Sequence, residues 1–214
     1  MMKKKNHSKI KTKAEKDLAL KKIKEQLLVA TEAPLFAYRT ANQYWPVIGD
    51  GSSEAKIMLI GEAPGKNEAL TGRPFCGSSG KILDKLLNSI ALSRAEVYIT
   101  NIVKDRPPTN RDPLPEEINY YAPFLDQQIE IIQPSVIVTL GRFSMDYLLT
   151  KYKLATGTIG QLHGQVLPLE MSFGLINFVP LYHPAATIYN QALKATLIKD
   201  FAVLKKLLDT NDAN

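Results

Sequence analysis

A chain of 214 residues, 45% hydrophobic and 22% charged, has room for one domain with a substantial core and the makeup of a globular protein. No apolar run approaches the roughly 18 to 20 residues of a membrane span; a single cysteine excludes an internal disulfide and an all-cysteine iron–sulfur centre, and three widely spaced histidines argue against a zinc site. The net charge of +6 is concentrated: residues 1–24 carry ten lysines against Glu15 and Asp17, a local +8, so the rest of the chain sums to −2.

In chain order, residues 1–26 read as a basic tail leading into a helix from Lys13, and residues 27–210 as a single domain. The tail has no apolar segment, so a secretory signal is not expected, and the chain reads as intracellular and cytoplasmic. A lysine run is most simply a solvated extension; its functional alternative is grip on nucleic acid through counterion release. Residues 31–55, with Trp45, read as irregular. Four apolar runs follow without strict alternation: Lys56–Gly61, Val97–Asn101, Val136–Gly141 and Asn177–Tyr182. That pattern predicts strands of a buried parallel sheet.

Helical spacing separates the strands. Ile82, Leu83, Leu86, Leu87 and Ile90 share one helix face, with Ser78 or Ser79 as the expected cap. Glu116 and Glu117 fall in the first turn after Pro115, where carboxylates favour the helix dipole. Leu197, Phe201, Leu204 and Leu208 mark a final amphipathic helix. Residues 159–176 read as a hairpin or meander inserted before the last strand. The expected architecture is α/β: three layers, α/β/α, around a central four-stranded parallel sheet.

Chemistry in such a fold collects outside the carboxyl ends of the strands. Gly61–Lys66, GEAPGK, fails as a P-loop, because its glycines enclose three residues instead of four and Asn67 stands where Ser or Thr would hold magnesium. No G-x-G-x-x-G follows the first strand. What remains is one polar residue at each of three strand ends: Glu62, Asn101 and His183. Singly, each has a bland reading as a turn or capping residue. Together, with Phe75 in a glycine-rich loop beside the first, they point to one pocket.

The segments GEAPG, GRPFCGSSGKILDKLL, VYITNIVKDRPPTNRDPLPEEI, PFLDQQIEIIQPSVIVTLG and HPAA are similar to those of the uracil-DNA glycosylase superfamily, most closely its family four, over roughly Thr31 to Leu208. The resemblance implies a monofunctional hydrolase that excises flipped-out uracil from DNA and leaves an abasic site. It implies that Phe75 stacks under the base and that Asn101 reads its pairing edge. His183 would donate to uracil O2, and Glu62 would position water or stabilise the cationic sugar. Backbone groups of Ala63 and Gly65 would line the pocket. Ser78, Ser79 and Gly80, together with Ala185, Ala186 and Lys194, would hold the DNA. DNA is the implied partner, with the protein acting as a monomer and without a cofactor. Two other readings stay open: a glycosylase for another deaminated base such as hypoxanthine or xanthine, and a non-catalytic nucleic-acid-binding protein of the same fold.

The chain departs from the family pattern where family four carries four cluster-binding cysteines. Those positions are Ala30, Ala33, Asp105 and, by its place before the P-F-L segment, Tyr121. Tyr121 is expected to fill part of the vacated space. Cys76 is not one of the four; beside Phe75, it reads as a buried inert thiol. The family's arginine after the histidine segment falls near Tyr189, and its proline near Gln191.

Overall fold

The structure, a computed structural model, describes residues 12–211; the lysines of residues 1–11 lie outside the described residues. Helix α1 (Lys13–Val29) starts on a capping box, in which Thr12 Oγ1 accepts the Glu15 N–H at 3.3 Å and Glu15 Oε2 accepts the Thr12 N–H at 2.7 Å. It runs unbroken across residue 26 and buries Ile23 and Leu27. The stretch expected to be irregular holds a short helix, α2 (Phe36–Ala41), and a two-residue strand, β1 (Asp50–Gly51). Both are too short to leave a hydrophobic period in the sequence.

The four expected strands form β2 (Ile57–Gly61), β3 (Tyr98–Asn101), β4 (Val136–Leu140) and the latter part of β6 (Gly174–Leu181). All residues of β2, β3 and β4 are buried, as a parallel sheet covered on both faces requires. The sheet has six strands, however, in the order β1-β3-β2-β4-β6-β5, where β5 is Leu167–Met171, with the four parallel strands central. Antiparallel β1 and β5 flank them. The expected hairpin is β5 with β6 itself, preceded by a short helix, α7 (Ile159–Leu162), so the last strand begins earlier than the apolar run suggests.

Helices cover both faces. Leu83, Leu86 and Leu87 of α4 (Ser78–Ser89) join Phe201 and Leu204 of α9 (Leu193–Asn211) against Leu59, Val138 and Val179. On the other face Leu125 and Ile129 of α5 (Pro115–Ile132) and Met145 and Leu148 of α6 (Arg142–Lys151) pack on Met58, Ile60, Ile137 and Phe178. Each such side chain taken fully from water contributes about 1.5 to 3 kcal/mol. Glu117 takes its expected place in the first turn of α5, where it also accepts the Leu114 N–H at 2.8 Å. No helix among the described residues is long and apolar enough to cross a membrane.

Because β2 pairs with β3 on one side and β4 on the other, the winding reverses at β2. The crevice at its carboxyl end is where this architecture leaves room for a ligand.

Candidate active site

A cleft of about 480 Å³ opens at that end. Glu62, Ala63, Gly65, Phe75, Ser79, Asn101, His183 and Ala185, all expected from the sequence, line it; Glu68, Arg111, Asp112 and Tyr189 are lining residues that the sequence did not single out for it.

Asn101 ends β3 opposite Gly61, and it is buried. Its carboxamide has no hydrogen-bond partner among the described residues, so both of its polar atoms are available to a ligand. The backbone behind it is held by Lys104, a wholly buried lysine that sequence reasoning missed. Lys104 Nζ lies 2.6 Å from Asn101 O, 2.6 Å from Gln128 Oε1 and 2.8 Å from Thr100 Oγ1. Burial pulls the pKa of this lysine well below its usual value.

Gly61 has a packing reason to be glycine. A Cβ there would come within 2.4 Å of Asn101 Oδ1 and 2.7 Å of Phe75 Cζ. The absent side chain lets the carboxamide and the aromatic ring close on the strand end. Gly141, after β4, does the same for His183, whose Cβ would lie 3.2 Å from a Cβ at that position. With no side chain projecting from the intervening strand's end, His183 reaches across to Phe75, the two ring centroids lying 5.6 Å apart at 30°.

His183 is half-buried, and loss of solvent pulls its pKa down to about 4, against a smaller opposing pull from Glu68. It is therefore neutral at pH 7. Glu62, also half-buried, moves the other way, to about 7, through burial and then the negative charge of Asp112, with Arg142 opposing. The two strand-end groups thus have pKa values displaced in opposite directions, the arrangement that separates acid and base roles at neutral pH.

Phe75 is buried and adopts φ +48°, a left-handed conformation that side-chain-bearing residues seldom hold. Its turn is tied from two sides. Glu68, on α3 (Lys66–Thr71), accepts the N–H groups of Cys76 at 3.0 Å and Gly77 at 2.9 Å. Arg94 donates to the carbonyls of Phe75 at 2.9 Å and Pro74 at 2.6 Å.

Two expectations change, the burial of Cys76 and the cap of α4. Cys76 is exposed, not buried: the left-handed turn at Phe75 sends its thiol outward, to 3.3 Å from Thr71 Oγ1. Neither Ser78 nor Ser79 caps α4; the cap residue is Gly77, and the Glu68 carboxylate takes the donors there. Gly80 is buried beneath the turn, where a Cβ would meet Phe75 O at 1.7 Å. Ser78 is exposed beside the cleft without lining it. Ala186 is half-buried at the start of α8 (Ala186–Tyr189), and Lys194 lines a separate apolar groove between α4 and α9.

The four positions matched to cluster cysteines meet in one place. Ala30, Ala33 and Tyr121 belong to one buried apolar cluster. Tyr121 Oη donates to Asp105 Oδ2 at 2.7 Å, and Arg39 Nη1 lies 3.2 and 3.1 Å from the two Asp105 oxygens. Two methyl groups, a phenol and a carboxylate already engaged by arginine and tyrosine offer no thiolate, so these residues do not fit an iron–sulfur cluster. Among the described residues no three His, Cys, Asp or Glu side chains come together to hold a metal.

Known proteins agree with this architecture. The family model for the uracil DNA glycosylase superfamily matches residues 48–207. A type-4 uracil-DNA glycosylase of Saccharolobus solfataricus is 46% identical over 165 residues, which cover 77% of this chain and 76% of that protein. Type-4 uracil-DNA glycosylases of Sulfurisphaera tokodaii and Archaeoglobus fulgidus are 42% and 41% identical; the aligned parts cover 90% and 79% of this chain, and 86% and 84% of those proteins.

Proposed function

The chain belongs to the uracil-DNA glycosylase superfamily, and on that premise we propose that it hydrolyses the N-glycosidic bond of uracil in DNA, opening base-excision repair. It is a monofunctional glycosylase: water is the nucleophile and an abasic site the product. The observation that carries the reading is the convergence, in one cleft, of an unpartnered carboxamide (Asn101), an aromatic floor (Phe75) and a neutral imidazole (His183).

A flipped uracil stacks on Phe75. Asn101 donates its amide N–H to O4 and accepts N3–H at its carbonyl. Cytosine reverses both polarities and leaves buried groups unpaired, a mismatch that binding sites reject strongly. His183 Nδ1 already accepts the Ala185 N–H at 3.2 Å, so the proton of the neutral ring sits on Nε2, which donates to uracil O2. As the C1′–N1 bond breaks, its electron pair moves onto the base, and the Nε2–H bond strengthens with the developing charge. Water adds its oxygen to C1′, one of its protons going to Glu62 and the other staying on the new hydroxyl. Glu62, with a pKa of about 7, is matched to that exchange.

Ser78, Ser79 and the loop from Ala185 support the DNA. The first-turn N–H groups of α4 open beside the cleft, where a helix start favours phosphate. Gly80 serves by letting the helix approach Phe75, and Lys194 supplies charge beside the groove between α4 and α9. Action as a monomer, wherever the cell keeps its DNA, belongs to the same reading.

The test is a labelled oligonucleotide with a single uracil, incubated with the protein and then cleaved with alkali, beside oligonucleotides carrying hypoxanthine, xanthine or thymine. Cleavage at uracil alone, abolished in His183→Ala, is expected. Cleavage at another base overturns the substrate, and no cleavage with intact DNA binding overturns the enzyme.

A further inference from the structure

We infer that Glu68 and Arg94 are positioning residues that hold the Phe75 ring as the floor of the base pocket. This rests on the proposed uracil chemistry, since a floor matters only to a base.

Phe75 sits in a backbone conformation that crowds the Cβ of any L-residue against the main chain and is unfavourable relative to the common regions. Strain of this kind persists only where neighbours over-determine it. Here the neighbours are identifiable. Arg94 grips the peptide oxygens of Pro74 and Phe75, and its guanidinium is anchored in turn by Asp84 Oδ1 at 3.0 Å. Glu68 grips the next two N–H groups with one carboxylate oxygen. Gly80 completes the seat, since any side chain there would collide with the Phe75 carbonyl.

Four consecutive residues, Pro74 to Gly77, are thus fastened through their main chain by side chains from two separate parts of the sequence. Neither Glu68 nor Arg94 bonds the ring itself. Both fix the backbone, and the ring follows toward Gly61 and His183. With the backbone released, Phe75 relaxes to negative φ and its ring leaves the strand end.

The readout must separate the floor from the DNA grip and from general damage. Free uracil, a competitive product, reports on the base pocket alone, and an oligonucleotide carrying an abasic site reports on the grip alone. Base–aromatic stacking predicts that Arg94→Met and Glu68→Ala each raise the inhibition constant for free uracil by about 5- to 100-fold. Affinity for the abasic oligonucleotide should change less than about twofold. Glu68→Gln keeps the accepting oxygen and is expected to retain most of the uracil affinity. Phe75→Ala combined with Arg94→Met should be no worse for uracil than Phe75→Ala alone, because the two changes remove the same floor.

Unchanged uracil inhibition in folded Arg94→Met and Glu68→Ala, or full additivity in the double variant, overturns the inference. Should Arg94→Met fail to fold, Glu68→Ala against Glu68→Gln carries the test through a different element. A wild-type protein that leaves uracil-DNA intact while binding free uracil refutes the catalytic reading and leaves the floor standing.

Discussion

The main-chain N–H of Ala185 donates to Nδ1 of His183 at 3.2 Å, across a turn of only two residues. This short-range hydrogen bond assigns the ring's proton to Nε2, the nitrogen free to address the cleft. Loss of solvent keeps the ring uncharged. An imidazolium would donate more strongly, but it would also have to be desolvated in the same cleft; a neutral donor gains strength only as charge grows on the base.

Asn101→Asp replaces the amide donor with an acceptor. Excision of uracil should fall on the order of 100-fold or more, and the ratio of cytosine to uracil excision should rise. Single-turnover rates on matched oligonucleotides measure both. Full uracil activity in Asn101→Ala would remove the residue from the role of reader.

Glu62, with its pKa raised to about 7, is protonated below neutrality and ionised above it. If the carboxylate accepts the water proton, kcat/KM should climb about tenfold between pH 6 and pH 8, and Glu62→Gln should be slow and flat over that range. Stability runs the opposite way. The folded state holds this proton more tightly than the unfolded chain, so the contribution is complete below pH 4.5 and is lost as pH rises through about 7. A rising limb that persists in Glu62→Gln assigns the titration elsewhere.

Gly61→Ala adds one methyl group against Asn101 Oδ1 and Phe75 Cζ. Overpacking of this kind costs about 1 to 3 kcal/mol. If these two side chains hold the base as proposed, a displacement of about 1 Å costs roughly 100-fold in rate. Thermal denaturation and turnover should therefore part company, with a modest fall in Tm and a large fall in activity. Wild-type turnover would mean that the two side chains can give way.

Tyr121→Phe removes the phenol donor from the buried Asp105 carboxylate, at an expected cost of about 1 to 3 kcal/mol. Arg39→Met leaves that carboxylate without its cation, which should cost about 3 to 5 kcal/mol. Urea unfolding gives both values. If Tyr121→Phe is as stable as wild type, the phenol fills space and does no more.

Removing residues 2–11 deletes Lys3, Lys4, Lys5, Lys9 and Lys11 but spares the Thr12 cap of α1. If the tail touches DNA, the slope of log Kobs against log[salt] should shrink by roughly 0.9 for each phosphate that the tail had neutralised. An identical slope in the shortened protein assigns the tail to solvent.

The central strands and the residues at their ends were legible because a parallel sheet writes itself as unbroken apolar runs, each followed by its first polar residue. β1 was not, being a two-residue edge strand with little burial to mark it, and β5 showed only as part of the hairpin expected over residues 159–176. Cys76 was misplaced because its surroundings in sequence are apolar, while its direction is decided by one dihedral angle at Phe75. Glu68, Arg94 and Lys104 left no signal because their partners are largely main-chain atoms or residues distant in sequence. Spacing along the chain carries no information about such pairings. Gly61 and Gly141 stood in view as glycines, but their reasons are neighbours that only the assembled sheet brings close.

Glu62, Asn101 and His183 stand at the carboxyl ends of three different strands, β2, β3 and β6, whose side chains are largely committed to the core, and each lies in a different segment of the chain. A change in any one of these lips leaves the other two, and the sheet beneath them, undisturbed. On the proposed reading, selection can therefore revise the recognised base, the attacking water or the leaving-group partner one segment at a time. The architecture works as a chassis with three replaceable fittings, and its descendants are free to diverge in chemistry sooner than in shape.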